Sequence, residues 1–280
     1  MWYFTDIHGN GDLAIRAMEI INGEEFIFGG DAIDRGSEGY EIAKNFLRMP
    51  NCHYIKGNHE DLFVQSAHAI NTMVMNGDYD VSKHIAEQLD ALWNYDEAIR
   101  LHLYNGGAET LASWMKDGMP YDPIEQLDNL PVMYQYKEYD FCHAGCMPQL
   151  FDNPTNKDYD IHEMIWSRNH FSYGWRPNRI LIHGHTPCMF MKSRLRCDRA
   201  PILYAGGSKM NLDGGTYEYP HQLFLLNLDT REVIRLRDVG LNKVIEEPCN
   251  FMNRSDKLYY DAYTLDPVNM QYFDSVTNQQ

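Results

Sequence analysis

Side chains that can bind a metal ion recur directly after short apolar runs along the first two-thirds of the sequence. Each of these runs is followed by aspartate, asparagine or histidine next to a glycine. One such segment is a weak signal, because Asp-x-His before glycine arises by chance and an isolated histidine is more often a hydrogen-bonded surface residue. Five in succession are improbable by chance. The segments are TDIHG (residues 5–9), GDAIDRG (30–36), GNHE (57–60), HAG (143–145) and GHT (184–186).

The chemistry that these side chains could perform is metal-ion catalysis. Two residues apart in an extended chain, Asp6 and His8 would point to the same side, and Gly9 lets the backbone turn sharply behind them. The five segments offer nitrogen and oxygen donors alone. Imidazole combined with carboxylate and amide oxygens suits manganese, iron or zinc better than an all-oxygen magnesium or calcium site. We expect the site at the carboxyl ends of the strands, where open α/β sheets bind their ligands.

The elements that must position these segments alternate between strands and helices at the start of the chain. The predicted elements are strands at 2–5, 26–28 and 53–55 and helices at 12–21 and 37–48, the second opened by a Ser37 cap. A β-α-β-α-β order predicts parallel strands joined by right-handed crossovers.

Beyond residue 60 the pattern changes twice. Residues from about 60 to 130 predict a helical insertion, with helices at 62–75, 82–92, 96–103 and 108–115. The chain then predicts strands at 132–136, 139–142, 180–182, 202–204, 223–228 and 233–236, whose hairpins form a mixed or antiparallel second sheet. We therefore predict one catalytic domain over residues 1–240, which contains the insertion, and a C-terminal tail over 241–280 that packs on it.

Composition limits the classes of function. The chain has 280 residues and an ordinary hydrophobic fraction of 44%, but its net charge is −16. An acidic surface disfavours nucleic acid and anionic membranes as partners, because both are bound by clustered lysines and arginines. No apolar run reaches membrane-spanning length, no signal peptide is visible, and six scattered cysteines fit a reducing compartment. We expect a cytoplasmic protein.

The order of the segments resembles that of the calcineurin-like metallophosphoesterases, within the serine/threonine protein phosphatase branch that includes bacterial and phage enzymes. The family pattern runs GDxHG, GDxxDRG, GNHE, HGG, W-x-R and GHT. Its counterparts here run from Thr5 to Thr186 and include Trp166-Ser167-Arg168. Thr5 and Ala144 stand where the family has glycine, and neither departure removes a side-chain ligand. The resemblance implies an α/β (α+β) fold, a sandwich of two mixed sheets flanked by helices, with a helical insertion.

The resemblance also implies a two-metal centre with six ligands. One ion would be bound by Asp6, His8 and Asp31, and the other by Asp31, Asn58, His143 and His185. A bridging carboxylate suits two divalent ions close together, and a hydroxide between them would attack the phosphorus in line, without a phosphoenzyme. On family grounds the metal is manganese, with iron and zinc as alternatives.

Four further residues receive catalytic roles from the resemblance. Arg35 and Arg168 would bind the substrate phosphate through their planar guanidinium groups. His59 would protonate the leaving oxygen, and Asp34 would orient His59.

A second histidine competes for the last ligand position. His183 lies two residues before His185 and would face the same side of a strand. We place the ligand at His185, because it follows Gly184 in GHT, and expect His183 to support the site or to face solvent.

Three functions remain open at this point. The first is a serine/threonine phosphatase or general phosphomonoesterase acting on a phosphorylated protein or small molecule. The second is a symmetrical dinucleoside (diadenosine) tetraphosphate hydrolase, although GNHE favours the phosphatase branch over the GNHD form of those hydrolases. The third is a phosphate-binding pseudoenzyme, which would be expected to lack a ligand or the acid. A nuclease is disfavoured by the acidic charge and by Pro187, where diesterase relatives carry a histidine.

Overall fold

Strands and helices alternate through most of the chain in the computed structural model, which describes residues 1–78, 92–152, 158–192, 200–253 and 259–260. The strands are Trp2–Phe4 (β1), Phe26–Phe28 (β2), Cys52–Tyr54 (β3), Met133–Tyr136 (β4), Tyr139–Cys142 (β5), Ile180–His183 (β6), Met191–Lys192 (β7), Ile202–Tyr204 (β8), Lys209–Asn211 (β9), Gln222–Asn227 (β10), Val233–Asp238 (β11), Val244–Cys249 (β12), Met252–Asn253 (β13) and Tyr259–Tyr260 (β14). The helices are Gly11–Ile21 (α1), Gly39–Arg48 (α2), Asn58–Asn76 (α3), Glu97–Tyr104 (α4), Ala108–Lys116 (α5), Asp122–Asp128 (α6), Pro148–Asp152 (α7) and Asp158–Trp166 (α8).

Two six-stranded mixed sheets form the body of the protein. The first has the strand order β12-β11-β10-β1-β2-β3, and the second has the order β13-β8-β9-β6-β5-β4. The parallel pairs β1–β2 and β2–β3 confirm the predicted β-α-β-α-β start. The predicted α/β fold of two mixed sheets flanked by helices is therefore confirmed.

Alternation along β1 shows how the sheets and helices share the apolar residues. Trp2 and Phe4 belong to the cluster that packs the first sheet against the helices. Tyr3, between them in sequence, belongs to the cluster between the two sheets, where its ring centroid lies 5.2 Å from that of Phe141. Residues of β1 thus serve two cores, as the two-residue period of a strand requires.

Several predicted elements differ from the structure. The two strands predicted at 223–228 and 233–236 lie in the first sheet, not the second, because β10 pairs with β1 and β11 with β10. Helix α2 begins at Gly39, and Ser37 does not cap it. The elements without a predicted counterpart include α6, α8 and β12, the last of which pairs with β11 at the start of the predicted tail. The helix predicted at 82–92 falls outside the described residues up to residue 91, as do 254–258 and 261–280 of the tail.

No helix within the described ranges combines the length and the apolar character needed to cross a membrane.

Packing of β10 against the helices leads to a prediction for stability. Leu225 is fully buried in the cluster that includes the apolar face of α1. Leu225→Ala should lower the free energy of unfolding by about 2–5 kcal/mol, because it removes buried methyl groups and leaves a cavity. Ile15, on the solvent side of α1 and 60% exposed, offers the matched control. Ile15→Ala should change the free energy of unfolding by about 0.5 kcal/mol or less. Equal urea midpoints for the two variants would contradict this.

Candidate metal centre

The loops that follow β1, β2, β3, β5 and β6 meet at one edge of the two sheets and bring the six predicted ligands together. Backbone hydrogen bonds tie the first two loops to each other: the Asp6 N–H donates to the Gly30 carbonyl and the His8 N–H to the Asp31 carbonyl, both at 3.0 Å. The His185 N–H donates to Asp6 Oδ1 at 3.0 Å, which joins the last loop to the first. All six predicted ligands are buried: Asp6, His8, Asp31, Asn58, His143 and His185.

The backbone of this edge is strained. Residues with a side chain rarely adopt the left-handed conformation, which costs about 1–3 kcal/mol and persists where the surroundings enforce it. The extended conformation predicted between Asp6 and His8 is wrong, because both residues have positive φ angles. Six of the ten predicted site residues share this conformation, with φ between 45° and 69°: Asp6, His8, Asp31, Asp34, Arg35 and His185.

Asp31 lies where two groups of potential ligands meet. Its Oδ2 is 3.2 Å from Nε2 of His143 and 3.7 Å from Nε2 of His8. Its other oxygen, Oδ1, accepts the backbone N–H of His59 at 3.0 Å, which fixes the carboxylate. The two groups whose donor atoms lie close enough to bind one ion are His8, Asp31 and His59, and Asp31, His143 and His185.

Each of the three predicted histidine ligands is oriented by a backbone carbonyl. Nδ1–H of His8 donates to Ile33 O (3.1 Å), and Nδ1–H of His143 donates to Gly29 O (2.8 Å). In His185 the roles are reversed, because Nε2 donates to Trp166 O at 3.1 Å. When each ring is in its neutral form, the other nitrogen therefore turns a lone pair towards the centre, which is how proteins orient metal-binding histidines.

With His143 in the neutral form that a metal ligand needs, Asn58 completes a set of four acceptor atoms. Its Oδ1 lies 3.0 Å from Nε2 of His143 and 2.9 Å from Nδ1 of His185, close to the Asp31 carboxylate. Lone pairs that face one another repel unless a cation lies among them. Carboxylate, amide oxygen and imidazole nitrogen are also a donor set that suits a divalent transition metal. The residues present therefore fit a metal ion here.

The charges of the centre are unequal. Burial lowers the pKa of His8 and of His185 well below the usual range, so both imidazoles are neutral and able to act as ligands. Burial also acts to lower the pKa of His143, but the carboxylates of Asp31 and Asp6 outweigh it and raise that pKa to about 10. Positive charge beside Asp31 is thus electrostatically favoured.

Asp6 is held differently from Asp31. Among the described residues, neither group of potential ligands includes it. Its Oδ1 accepts the His185 N–H, and its Oδ2 accepts the hydroxyl of Thr5 at 2.6 Å. Thr5, which stands where the family has glycine, thus adds a hydrogen bond to a predicted ligand. Burial, with the nearby Asp31 carboxylate, raises the pKa of Asp6.

His59 is paired with Asp34 next to the centre. Its Nδ1–H donates to Asp34 Oδ2 at 2.7 Å, while its Nε2 lies 3.9 Å from Asp31 Oδ2. Burial acts to raise the pKa of Asp34, but His102 and His59 together hold it well below the usual range. The carboxylate is therefore ionised and orients the imidazole, and the distances allow His59 either to act as an acid or to bind a metal.

The two predicted phosphate-binding arginines contact residues of the loops at this edge. Nη1 of Arg35 donates to Nε2 of His8 (2.8 Å), and its guanidinium carbon lies 3.8 Å from the ring centroid of Tyr217. Nε of Arg168 donates to the hydroxyl of Thr186 at 3.0 Å, directly after His185.

His183 does not face solvent. It is fully buried, its Nδ1–H donates to the Gly184 carbonyl at 3.1 Å, and its Nε2 accepts the hydroxyl of Tyr204 at 2.7 Å. Both ring nitrogens are therefore engaged behind the centre, and burial lowers the pKa of His183 to about 3.

Residues beyond the ten predicted site residues also support the site. Glu60, a residue of GNHE, accepts the backbone N–H groups of Asp31 and Ala32 at 2.8 Å each and so fixes the loop that carries Asp31. His102 and Thr110 contact Asp34 from the helical insertion. The GNHE motif predicts that Glu60 supports the His59 loop or starts the next helix, whereas no local pattern distinguishes His102 and Thr110 from core residues of a helix.

Comparison with known proteins identifies the family. The family model described as calcineurin-like phosphoesterase matches residues 1–189. No curated protein matches the chain. Among solved structures, one provisionally described as a diadenosine tetraphosphatase has a TM-score of 0.50 and 14% identity, over 89% of this chain and 93% of that one.

Two other solved structures are similar at lower scores. A cold-active protein-tyrosine phosphatase of a psychrophilic Shewanella species has a TM-score of 0.46 and 15% identity, over 89% of this chain and 80% of that one. A protein serine/threonine phosphatase from Saccharomyces cerevisiae has a TM-score of 0.44 and 16% identity, over 91% of this chain and 81% of that one. At 14% identity, the similarity with a TM-score of 0.50 bears on the fold and not on the substrate.

Proposed function

Because this chain belongs to the calcineurin-like phosphoesterase family, and is thus a hydrolase of phosphate esters, we propose that it is a metal-dependent serine/threonine phosphatase. The observation that carries this proposal is the pairing of His59 with the buried Asp34 at the edge of the potential metal ligands. An alkoxide such as that of serine needs a proton as it leaves, whereas the phosphate leaving group of an anhydride departs more readily without one. An oriented acid is therefore most useful for alkyl phosphate monoesters.

We assign two metal ions to ligand sets that share Asp31. The sets are Asp6, His8 and Asp31 for one ion, and Asp31, Asn58, His143 and His185 for the other. The ions, when bound, supply Lewis-acid chemistry that polarises phosphoryl oxygens and lowers the pKa of water. Our choice of metal is manganese, from the resemblance to the phosphatase branch, and the imidazole donors also suit iron and zinc.

We assign phosphate binding to Arg35 and Arg168. A guanidinium offers two parallel N–H donors to two phosphate oxygens and stays charged at every pH of interest. The side chain of Arg35 is exposed and rests on Tyr217, so it can meet a substrate that arrives from solvent. Its Nη2 also lies 3.0 Å from Nε2 of His59, which keeps phosphate and acid next to each other.

A neighbouring cavity supports a monoester over a dinucleoside polyphosphate. The cavity has a volume of about 610 Å³, and its lining combines His8 and Arg35 with the carboxylates of Asp12, Glu38 and Asp238. Carboxylates repel the additional phosphates of diadenosine tetraphosphate and tolerate a neutral or basic leaving group. A phosphorylated protein or a small phosphorylated alcohol fits this charge pattern better.

A substrate panel tests the proposal. Purified, manganese-loaded protein would be assayed with a phosphoserine peptide, 4-nitrophenyl phosphate, diadenosine tetraphosphate and bis(4-nitrophenyl) phosphate. We expect kcat/KM for both monoesters to exceed that for the other two compounds by about 10-fold or more. A preference for the tetraphosphate would identify a dinucleotide hydrolase. Binding of the phosphopeptide without turnover of any compound would identify a phosphate-binding pseudoenzyme.

A further inference from the structure

A second histidine contacts the carboxylate that orients His59. His102 lies in α4 of the helical insertion and is fully buried. Its Nε2 is 2.9 Å from Oδ1 and 3.0 Å from Oδ2 of Asp34. Carboxylate oxygens of an ionised aspartate accept hydrogen bonds, so Nε2 carries the proton and is shared between both oxygens.

We propose that His102 is a positioning residue for phosphate ester hydrolysis, and that it acts through Asp34 on His59. The inference rests on the proposed function, in which His59 is the general acid. The carboxylate of an aspartate can rotate about its Cβ–Cγ bond. A donor shared by both of its oxygens restricts that rotation and fixes the plane of the carboxylate. The fixed plane turns Oδ2 towards Nδ1 of His59, to which it is hydrogen-bonded at 2.7 Å.

The same stretch of the insertion holds the backbone of the Asp34 loop. The hydroxyl of Thr110 donates to Asp34 Oδ1 at 2.6 Å and accepts the Asp34 N–H at 3.0 Å. The Arg35 N–H donates to the carbonyl of Gly106 at 2.9 Å. Asp34 and Arg35 both have left-handed φ angles, so these bonds hold a strained segment in place. The insertion therefore positions the partner of the acid and the phosphate-binding arginine together.

The surroundings of His102 favour a functional reason for a histidine at this position. A Cβ atom at Gly107 would lie 2.3 Å from the Cδ2 and Nε2 atoms of His102, so the turn after α4 closes tightly over the ring. Among the described residues, its buried Nδ1 has no hydrogen-bond partner. A buried polar atom without a partner lowers stability, and an apolar residue would fill the space without it. Packing alone therefore does not account for His102.

Two substitutions separate the donor from the packing. His102→Leu removes the donor, and His102→Gln keeps an N–H donor close to the position of Nε2. His68→Leu, on α3 of the same insertion at a histidine whose ring lies beside Tyr121, is the matched control. Thermal unfolding verifies that each variant is folded. Thr110→Val, which removes the other side-chain donor that the insertion offers to Asp34, provides a second route if His102→Leu does not fold.

Catalysis gives the first readout. With a phosphoserine peptide, His102→Leu should lower kcat by about 10–100-fold, the range typical of residues that orient a functional side chain. The loss with 4-nitrophenyl phosphate should be much smaller, because nitrophenolate leaves without a proton. KM should stay close to that of the wild type, and His102→Gln should recover most of the lost rate. Equal losses with both esters, or no loss with either, would overturn the proposal.

A second readout does not depend on turnover. Imidazole ¹⁵N NMR reports which nitrogen of His59 carries the proton and how strongly it is hydrogen-bonded. His102→Leu, or Thr110→Val in its place, should shift the Nδ1–H signal of His59, whereas His102→Gln and His68→Leu should not. An unchanged signal in His102→Leu would overturn the positioning role. Should the wild type hydrolyse neither ester, the proposed function fails, and this NMR comparison still decides whether His102 orients the Asp34–His59 pair.

Discussion

The variant Asp31→Asn is expected to lose bound metal and to lower kcat/KM by more than about 100-fold, beyond the loss typical of residues that merely support a ligand. In the wild type the Asp31 carboxylate lies in both groups of potential metal ligands and faces Nε2 of His143 and of His8. Asparagine retains the shape but removes the negative charge that two neighbouring divalent ions require. Metal analysis and kinetics with the phosphoserine peptide provide the measurements.

Asp6→Asn is the matched comparison, because it makes the same chemical change one loop away. Both Asp6 oxygens already accept hydrogen bonds within the protein, and we assign Asp6 to one ion. Its variant should therefore keep part of the metal and lose less activity than Asp31→Asn. Equal losses of metal and rate in the two variants would show that Asp31 does not bridge.

For His59→Asn we expect a loss of about 10²–10⁴-fold in kcat with the phosphoserine peptide, the usual contribution of general acid catalysis. The loss with 4-nitrophenyl phosphate should be much smaller, because its leaving group is a weak base. Metal content should stay unchanged, since His59 is assigned to the proton transfer and not to an ion. Asp34→Asn should give a weaker form of the same profile, because it removes the charge that orients His59.

The distances also allow His59 to be a metal ligand. Its Nε2 lies 3.9 Å from Asp31 Oδ2, within the group that also contains His8. If His59→Asn empties a metal site, His59 is a ligand and the assignment of Asn58 must change. If it slows both esters equally, His59 binds the phosphate. His53→Asn, at a histidine that stacks on Tyr134, is a control that should leave both rates unchanged.

The fold was predictable where local pattern and topology agree. The apolar runs of β1, β2 and β3 alternate with helices, and a parallel arrangement is the common outcome of that order. The placement of β10 and β11 was not predictable, because the periodicity of a strand does not indicate which sheet it joins. Strand β12 was not predictable from its pattern, because its sequence contains two glutamates and a proline at an exposed sheet edge.

The site was predictable to the extent that its residues lie in short motifs. All six predicted ligands meet at one edge, because each follows the carboxyl end of a strand in the two sheets. The left-handed backbone at Asp6 and His8 could not be read from the sequence, since glycine is the residue that usually indicates it. His102 lies 68 residues from Asp34, and a histidine in an amphipathic helix gives no sign of a distant carboxylate.

Metal content measured together with activity, on one sample during chelation and reloading, tests the two-metal phosphatase most directly. Activity towards the phosphoserine peptide should disappear as ions are removed. It should return with manganese as the protein approaches about two bound ions per chain, the number that a bridged centre holds. Full activity in exhaustively chelated protein, with no metal found by elemental analysis, would contradict a metal-dependent mechanism. Full recovery at one ion per chain would contradict the second site.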